Sequence, residues 1–159
     1  MVVHFLTQLV LFYIWVRPSS TGDTSLIGNN ILTIENTFEI SIGRRSTTYS
    51  GLAYASRPWA WRQVNSNVLL NDSWNLITYV HKLDGRIVYV NGQVIYTSTE
   101  TGGLTSGSSS YPYLTIGGRY SGTGSPLEGD VSSIIMYDKP HDQVDVLKNY
   151  NIIKSRFGL

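Results

Sequence analysis

Trp74-Asn-Leu-Ile-Thr-Tyr-Val-His-Lys-Leu-Asp-Gly-Arg-Ile-Val-Tyr-Val-Asn-Gly-Gln-Val-Ile-Tyr-Thr97 holds two turn dipeptides, Asp84-Gly85 and Asn91-Gly92, each set between runs of β-branched and aromatic residues. Both dipeptides tolerate the positive φ angles of a type I′ hairpin turn, so the stretch reads as three antiparallel strands in a meander. With two-residue loops, His81 lies opposite Val88 and Val88 opposite Ile95, while Val80 pairs with Tyr89 and Tyr89 with Val94. One face then carries Ile77, Tyr79, His81, Val88, Val90 and Ile95; the other carries Leu76, Thr78, Val80, Ile87, Tyr89, Val94 and Tyr96. Neither face is plainly polar. Such strands belong in the middle of a sheet, with one face against a second sheet and the other lining a partly covered concavity.

The pattern extends outward in both directions. Val10-Leu-Phe-Tyr-Ile-Trp-Val16 has the β-branched and aromatic content of a buried strand and is stopped by Arg17-Pro18-Ser19-Ser20-Thr21-Gly22. The apolar run that begins at Val2 contains His4, Thr7 and Gln8 and falls short of the ~20 residues of a spanning helix. It has no preceding basic residue and no small-residue cleavage site, which argues against a signal peptide. Further short strands are expected at Ser25–Ile27, Ile31–Ile34, Phe38–Ile42, Tyr49–Ala55 and Trp59–Val64. A Gly, Ser and Thr loop fills Glu100–Tyr111, Tyr113–Gly117 resumes the β pattern, a second glycine-rich loop runs to Pro126, and Val131–Tyr137 is another strand. After Pro140, Asp142 can cap a short helix with Asp145 in its first turn and Val144, Leu147 and Tyr150 at helical spacing.

Composition agrees with an all-β domain. The 159 residues suffice for one domain burying roughly 70% of its unfolded surface. They are 42% hydrophobic and 12% aromatic but only 14% charged, which excludes a disordered chain or a charged helical bundle. A formal charge of +1 is too small for the phosphate-neutralising field of a nucleic-acid binder. The absence of cysteine removes disulfides, thiolate metal sites and cysteine nucleophiles.

Five segments in order carry a family likeness: Ile14-Trp15-Val16-Arg17-Pro18, Trp74-Asn-Leu-Ile77, Val88-Tyr89-Val90-Asn91-Gly92, Leu114-Thr-Ile-Gly117, and Glu128-Gly129-Asp130-Val131-Ser-Ser-Ile134-Ile-Met-Tyr137. Together they resemble the concanavalin A-like, laminin G-like jelly-roll domains, which implies a two-sheet antiparallel sandwich with one short C-terminal helix, spanning 1–159 as a single domain. Val144-Asp-Val-Leu-Lys-Asn-Tyr-Asn151 with Lys154-Ser-Arg-Phe-Gly158 is similar to the endings of such domains in tail-fibre and other structural proteins of bacteriophages and large viruses. Family members usually carry a strand before the one holding Trp15, and only nine residues precede Val10. A missing edge strand leaves a neighbouring main chain open to pairing with another subunit, so the domain is expected to work inside a larger assembly.

Catalysis is disfavoured. Glycosidases resembling this fold use a strand bearing two closely spaced glutamates, one as acid and one as nucleophile. Here Glu128-Gly129-Asp130 is the nearest cluster and reads as turn chemistry, while Glu35, Glu39 and Glu100 stand alone. His4, His81 and His141 have no paired ligand spacing. Asp23, Asp72 and Asp130 are calcium candidates as loop acids, with turn capping the favoured role for each. No cofactor is expected.

A sugar site needs flat apolar rings beside planar donors and acceptors. Trp59 and Trp61 alternate, sharing one face with Arg57 and Gln63 nearby, and Tyr111, Tyr113, Arg119 and Tyr120 flank the second glycine-rich stretch. Core packing is the competing role for Trp61 and Tyr113. The candidate ligand set is therefore Trp59, Trp61, Arg57, Tyr111, Arg119 and Tyr120. The functional expectation is a non-enzymatic recognition or decoration module of a virion, with other virion subunits and cell-surface glycans as partners and no nucleic acid or membrane insertion. The alternative is a carbohydrate-binding module of a secreted multidomain protein or glycanase.

Overall fold

The computed structural model describes residues 10–19, 29–34, 37–42, 51–56, 60–65, 69, 72–102, 114–119 and 125–159. Among the described residues, ten strands make two five-stranded sheets. The first has the order β10-β1-β6-β7-β8, built from Gly129–Tyr137, Val10–Pro18, Asn75–Lys82, Gly85–Val90 and Gln93–Ser98. The second has the order β5-β4-β3-β2-β9, built from Ala60–Asn65, Leu52–Ser56, Phe38–Ile42, Asn29–Ile34 and Leu114–Ile116. All neighbouring strands run antiparallel.

β1 reads as an uninterrupted apolar run because both of its faces are covered. Val10, Phe12, Ile14 and Val16 enter the core between the sheets, where Leu32, Ile34, Phe38, Ile40, Leu52 and Tyr54 meet them from the second sheet. Phe12 stacks on Phe38 with centroids 5.3 Å apart, and Tyr79 of β6 lies 4.5 Å from Phe38 and 5.2 Å from Tyr54, so aromatic contacts tie one layer to the other. The alternate residues Leu11, Tyr13 and Trp15 form a second cluster with Leu76, Val80 and Tyr89 on the outer face of the first sheet.

That outer face is not the concavity expected from the meander. The helix α1, Gln143–Ile153, and the 3-10 turn Lys154–Phe157 lie on it. Asp142 caps the helix, its carboxylate accepting from the Asp145 amide at 2.9 Å. The buried stripe is Val146, backed by Tyr150, Ile153 and Phe157, whereas Val144 is 74% exposed. Docking therefore keeps Tyr150 and Leu147, which lie against the sheet and the Gly92 turn, on the seated face, but takes Val146 in place of the expected Val144.

The hairpins differ from expectation in register. Asn91 and Gly92 adopt φ of 51° and 80°, and Tyr89 pairs with Val94, as the type I′ reading requires. Asn91 also bonds to β6 through both of its ends: its amide donates to the Leu76 carbonyl and its Oδ1 accepts from the Leu76 amide. At the first turn, however, Lys82 pairs with Gly85, so Leu83-Asp84 is the loop; His81 faces Arg86, and Val88 faces Tyr79. The slip is two residues, which preserves every face assignment because strand side chains alternate with period two. Gly85 is glycine for closeness: a Cβ there would overlap the Ser98 carbonyl of β8. A bulge after Val88 sets that residue opposite Tyr96 rather than Ile95. Tyr96 is thereby turned toward the core, edge-on to Tyr54 at 5.7 Å. β6 and β7 lie inside the sheet, but β8 is an edge strand that runs beside β5.

Phe38–Ile42 is β3 as expected, and the remaining described strands agree with their expected positions to within a few residues. The expected strand Ser25–Ile27 and residues 1–9 lie outside the described residues.

Candidate recognition face

The pairing registers of the second sheet align one side chain from each strand into a row across its outer face: Trp61 opposite Ala55, Ala55 opposite Glu39, Glu39 opposite Thr33, and Thr33 opposite Thr115. Their strand neighbours Phe38, Ile40, Ile34 and Tyr54 point into the core, and alternation sends this row the other way. A second row runs Gln63, Ala53, Ser41, Asn30. Five strands at about 4.8 Å spacing make the face roughly 19 Å wide.

The centre of the face is a buried polar layer. Asn30, Thr33, Glu39 and Ser41 are at most 1% exposed. A carboxylate removed from water costs several kcal/mol unless it is paired and hydrogen-bonded. Here Asn30 Nδ2 donates to Glu39 Oε1 at 2.5 Å and to Thr33 Oγ1 at 3.1 Å, and Arg119 Nε stands 3.6 Å from Glu39 Oε2. Between Trp61 and Glu39 the first row carries only the methyl group of Ala55, and between Gln63 and Ser41 the second carries only that of Ala53. Trp61, Gln63, Thr115 and Arg119, at the two margins, are half-buried.

Of the expected ligand residues, Trp61 and Arg119 fall on this one face, at opposite edges, and Trp61 is outside the inter-sheet core that was its competing position. Trp59, Arg57, Tyr111 and Tyr120 lie outside the described residues. Asn30, Thr33 and Glu39 were not singled out by sequence. Their only signal is the alternation in Phe38-Glu-Ile-Ser-Ile42, which places Glu39 opposite the core but cannot distinguish an enclosed carboxylate from a solvated one.

Among the described residues, Glu39 and Glu100 do not form an acid pair, and Glu35 lies outside the described residues. Glu100 accepts from the Tyr54 hydroxyl at 3.1 Å and pairs with Arg62, both on the core side of the second sheet, while Glu39 is on the outer side. The sheet separates them, so they cannot flank one bond at the ~5 Å a retaining glycosidase needs. Asp130 accepts from Arg17 Nε at 3.0 Å and from its Nη2 at 2.6 Å. Asp72 sits in a turn at φ 54°, its amide donating to the Pro18 carbonyl at 2.8 Å. Asp23 is outside the described residues. Among the described residues no three His, Asp or Glu side chains gather as a metal site, and no helix is long and apolar enough to cross a membrane.

Two antiparallel five-stranded layers with one C-terminal helix define a jelly-roll β-sandwich. The chain belongs to the concanavalin A-like lectin/glucanases superfamily, whose profile matches residues 12–146. No curated protein matches it significantly. Among solved structures it is similar to a Bacteroides ovatus protein provisionally described as carbohydrate binding, with TM-score 0.76 and 16% identity over 93% of this chain and 42% of that one. Domain 4 of an extracellular arabinanase from Geobacillus stearothermophilus, solved with arabinotriose, gives TM-score 0.65 and 14% identity over 89% of this chain and 66% of that one. The binding domain of botulinum neurotoxin serotype G gives TM-score 0.61 and 15% identity over 94% and 37%. The chain thus spans less than two thirds of the length of each, and at these identities the likeness establishes the fold. The relatives' names describe mainly binding domains.

Proposed function

We propose that this chain is a non-enzymatic recognition module that binds an oligosaccharide at the outer face of its second sheet. The carrying observation is the row Trp61–Ala55–Glu39–Thr33–Thr115. Its middle, Ala55, Glu39 and Thr33, is enclosed, so the surface offered to a pyranose ring is at the margins: the half-buried indole of Trp61 at one end, and Thr115 with Arg119 at the other. Trp61 is the stacking platform at one margin, and the half-buried guanidinium of Arg119, beside Glu39, is the polar group at the other. Trp59, Arg57, Tyr111 and Tyr120 extend the contact set.

A glycan array followed by calorimetry on the best ligand tests this. Trp61→Ala should weaken binding at least tenfold, and Arg119→Met severalfold, with near-ultraviolet circular dichroism unchanged. Failure of the array to yield any ligand, or equal affinity in both variants, overturns the reading.

The setting we propose is a virion surface, with other virion subunits as partners. It rests on the likeness of Val144–Asn151 and Lys154–Gly158 to the endings of tail-fibre-like domains, a segment that here closes one face of the sandwich. Ile116 and Met136, on the edge strands β9 and β10, are 55% and 43% exposed, as suits a domain built into a larger assembly. The second reading, a carbohydrate-binding module of a secreted protein, is favoured by the likeness to a domain of an extracellular arabinanase. Neighbouring genes decide between them: capsid, baseplate or tail genes support the virion, and a fused or adjacent glycanase supports the module.

A further inference from the structure

The end of the sandwich near His81 holds a buried cluster that the proposed sugar face does not use. Arg86 of β7 is 1% exposed, yet both of its Nη groups donate to main-chain carbonyls. Its Nη1 donates to Lys82 at 2.5 Å, Gly85 at 2.9 Å and Glu100 at 3.0 Å, and its Nη2 to Gly102 at 2.8 Å. His81, the cross-strand partner of Arg86, is fully buried, and its Nε2 lies 2.9 Å from the same Gly102 oxygen. A carbonyl only accepts, so Nε2 carries the proton, and Nδ1 is left to accept from the Tyr79 hydroxyl at 3.4 Å. Two side chains of the first sheet thus grip one carbonyl of the segment that follows β8. The grip is completed by the Gly102 amide, which donates to the Leu83 carbonyl at 3.1 Å.

We infer that His81, Arg86 and the Gly102 carbonyl form an acid-sensitive anchor, in which protonation of His81 releases Glu100–Gly102 from the sandwich while the two sheets stay folded. A second proton, on Nδ1, would remove the acceptor used by Tyr79 and place an imidazolium beside the Arg86 guanidinium with no water to screen them. The charged and titratable neighbours offer no rescue. Tyr79, on the same strand, stays protonated because burial raises its hydroxyl pKa. Across the core, Tyr54 and Arg62 already hold the Glu100 carboxylate, Tyr96 of β8 is committed to Tyr54, and Val10, the β1 partner of His81, carries no charge. Gly102 itself, at φ 107°, holds a conformation that suits an anchored turn more than a free chain of L residues.

Burial, and secondly Arg86, hold the imidazole well down, to about 4. An exposed histidine titrates near 6.5, so the open form binds the extra proton more tightly. Opening is independent of pH above about 6.5 and grows about tenfold for each unit below it, down to about 4.

Amide hydrogen exchange on the whole chain, corrected for the intrinsic pH dependence of exchange, tests the anchor. Between pH 7 and 4.5 the Gly102 amide should lose about a hundredfold of its protection, while the Phe12 and Ile14 amides of central strand β1 change far less. His81→Gln, which keeps a donor for the Gly102 carbonyl and cannot ionise, should abolish the acid response. The proposal is overturned if Gly102 keeps its protection at pH 4.5, if Gly102 and β1 lose protection together, or if His81→Gln opens at the same pH as the parent. Should that variant fail to fold, the comparison of Gly102 with β1 in the parent decides alone.

Discussion

Arg119 Nε stands 3.6 Å from the Glu39 carboxylate, an arginine from beyond the edge strand β9 reaching a fully buried acid on the middle strand β3 of the same sheet. The pair, with Asn30 as the third member, is what allows a charged side chain to sit in the enclosed layer behind the proposed sugar face.

Removing the carboxylate takes an acceptor from buried Asn30 and the counter-charge from Arg119. Glu39→Ala should cost about 3 kcal/mol in urea unfolding, whereas Glu39→Gln, which keeps an oxygen for Asn30, should cost about 1 kcal/mol. Equal losses in the two variants would show that bulk, not hydrogen bonding, is what matters at that position.

The C-terminal turn should matter for stability although it lies outside the sandwich core. Phe157 stacks on Trp15 with ring centroids 4.0 Å apart and also touches Trp74 at 5.0 Å. Phe157→Ala should lower stability by roughly 2 kcal/mol and shift the tryptophan emission to the red. An unchanged spectrum would mean that the turn is undocked in solution.

Two glycines with positive φ should respond very differently to alanine. Gly129, at φ 145°, has no room for a Cβ, which would strike the Arg17 carbonyl, and Gly129→Ala should cost roughly 3 kcal/mol or more. Gly102 at φ 107° has open space around it, so Gly102→Ala pays only backbone strain of about 1 kcal/mol. Thermal unfolding of the two variants measures the contrast.

Acid should weaken the fold in a defined window. The folded-state pKa of His81 is depressed to about 4, so the unfolded chain takes up a proton first as pH falls. The stability contributed by neutral His81 is fully present above about pH 6.5 and is lost toward pH 4, with a ceiling of roughly 3 kcal/mol that shrinks if the anchor opens first. Urea midpoints from pH 8 to 4 should be level above 6.5 and fall below it. His81→Gln should flatten the part of that fall which belongs to this residue.

Much of the architecture was legible from local pattern. The apolar run Val10–Val16, the alternation in Phe38–Ile42, the Asn91-Gly92 turn and the Asp142 cap each report a backbone preference that neighbouring residues alone determine, and all four reappear in the fold. The family likeness added the pairing of these pieces into two layers. Trp61 and Arg119 could be singled out as chemically suited to sugars, but nothing in their spacing shows that both belong to one face.

What tertiary structure alone decided is which contacts a given residue satisfies. Asp84-Gly85 looks like a turn because glycine is permissive, yet Gly85 is required by the approach of the Ser98 carbonyl from another strand, and the loop moves to Leu83-Asp84. Val146 rather than Val144 is buried because the helix must seat against Leu11, Tyr13 and Trp15, residues more than a hundred positions away. Glu39, His81 and Arg86 read as ordinary polar positions in strands. Their burial follows from sheet pairing and from main-chain carbonyls brought in by distant segments, because the cost of burying a polar group depends on partners that only the assembled fold supplies.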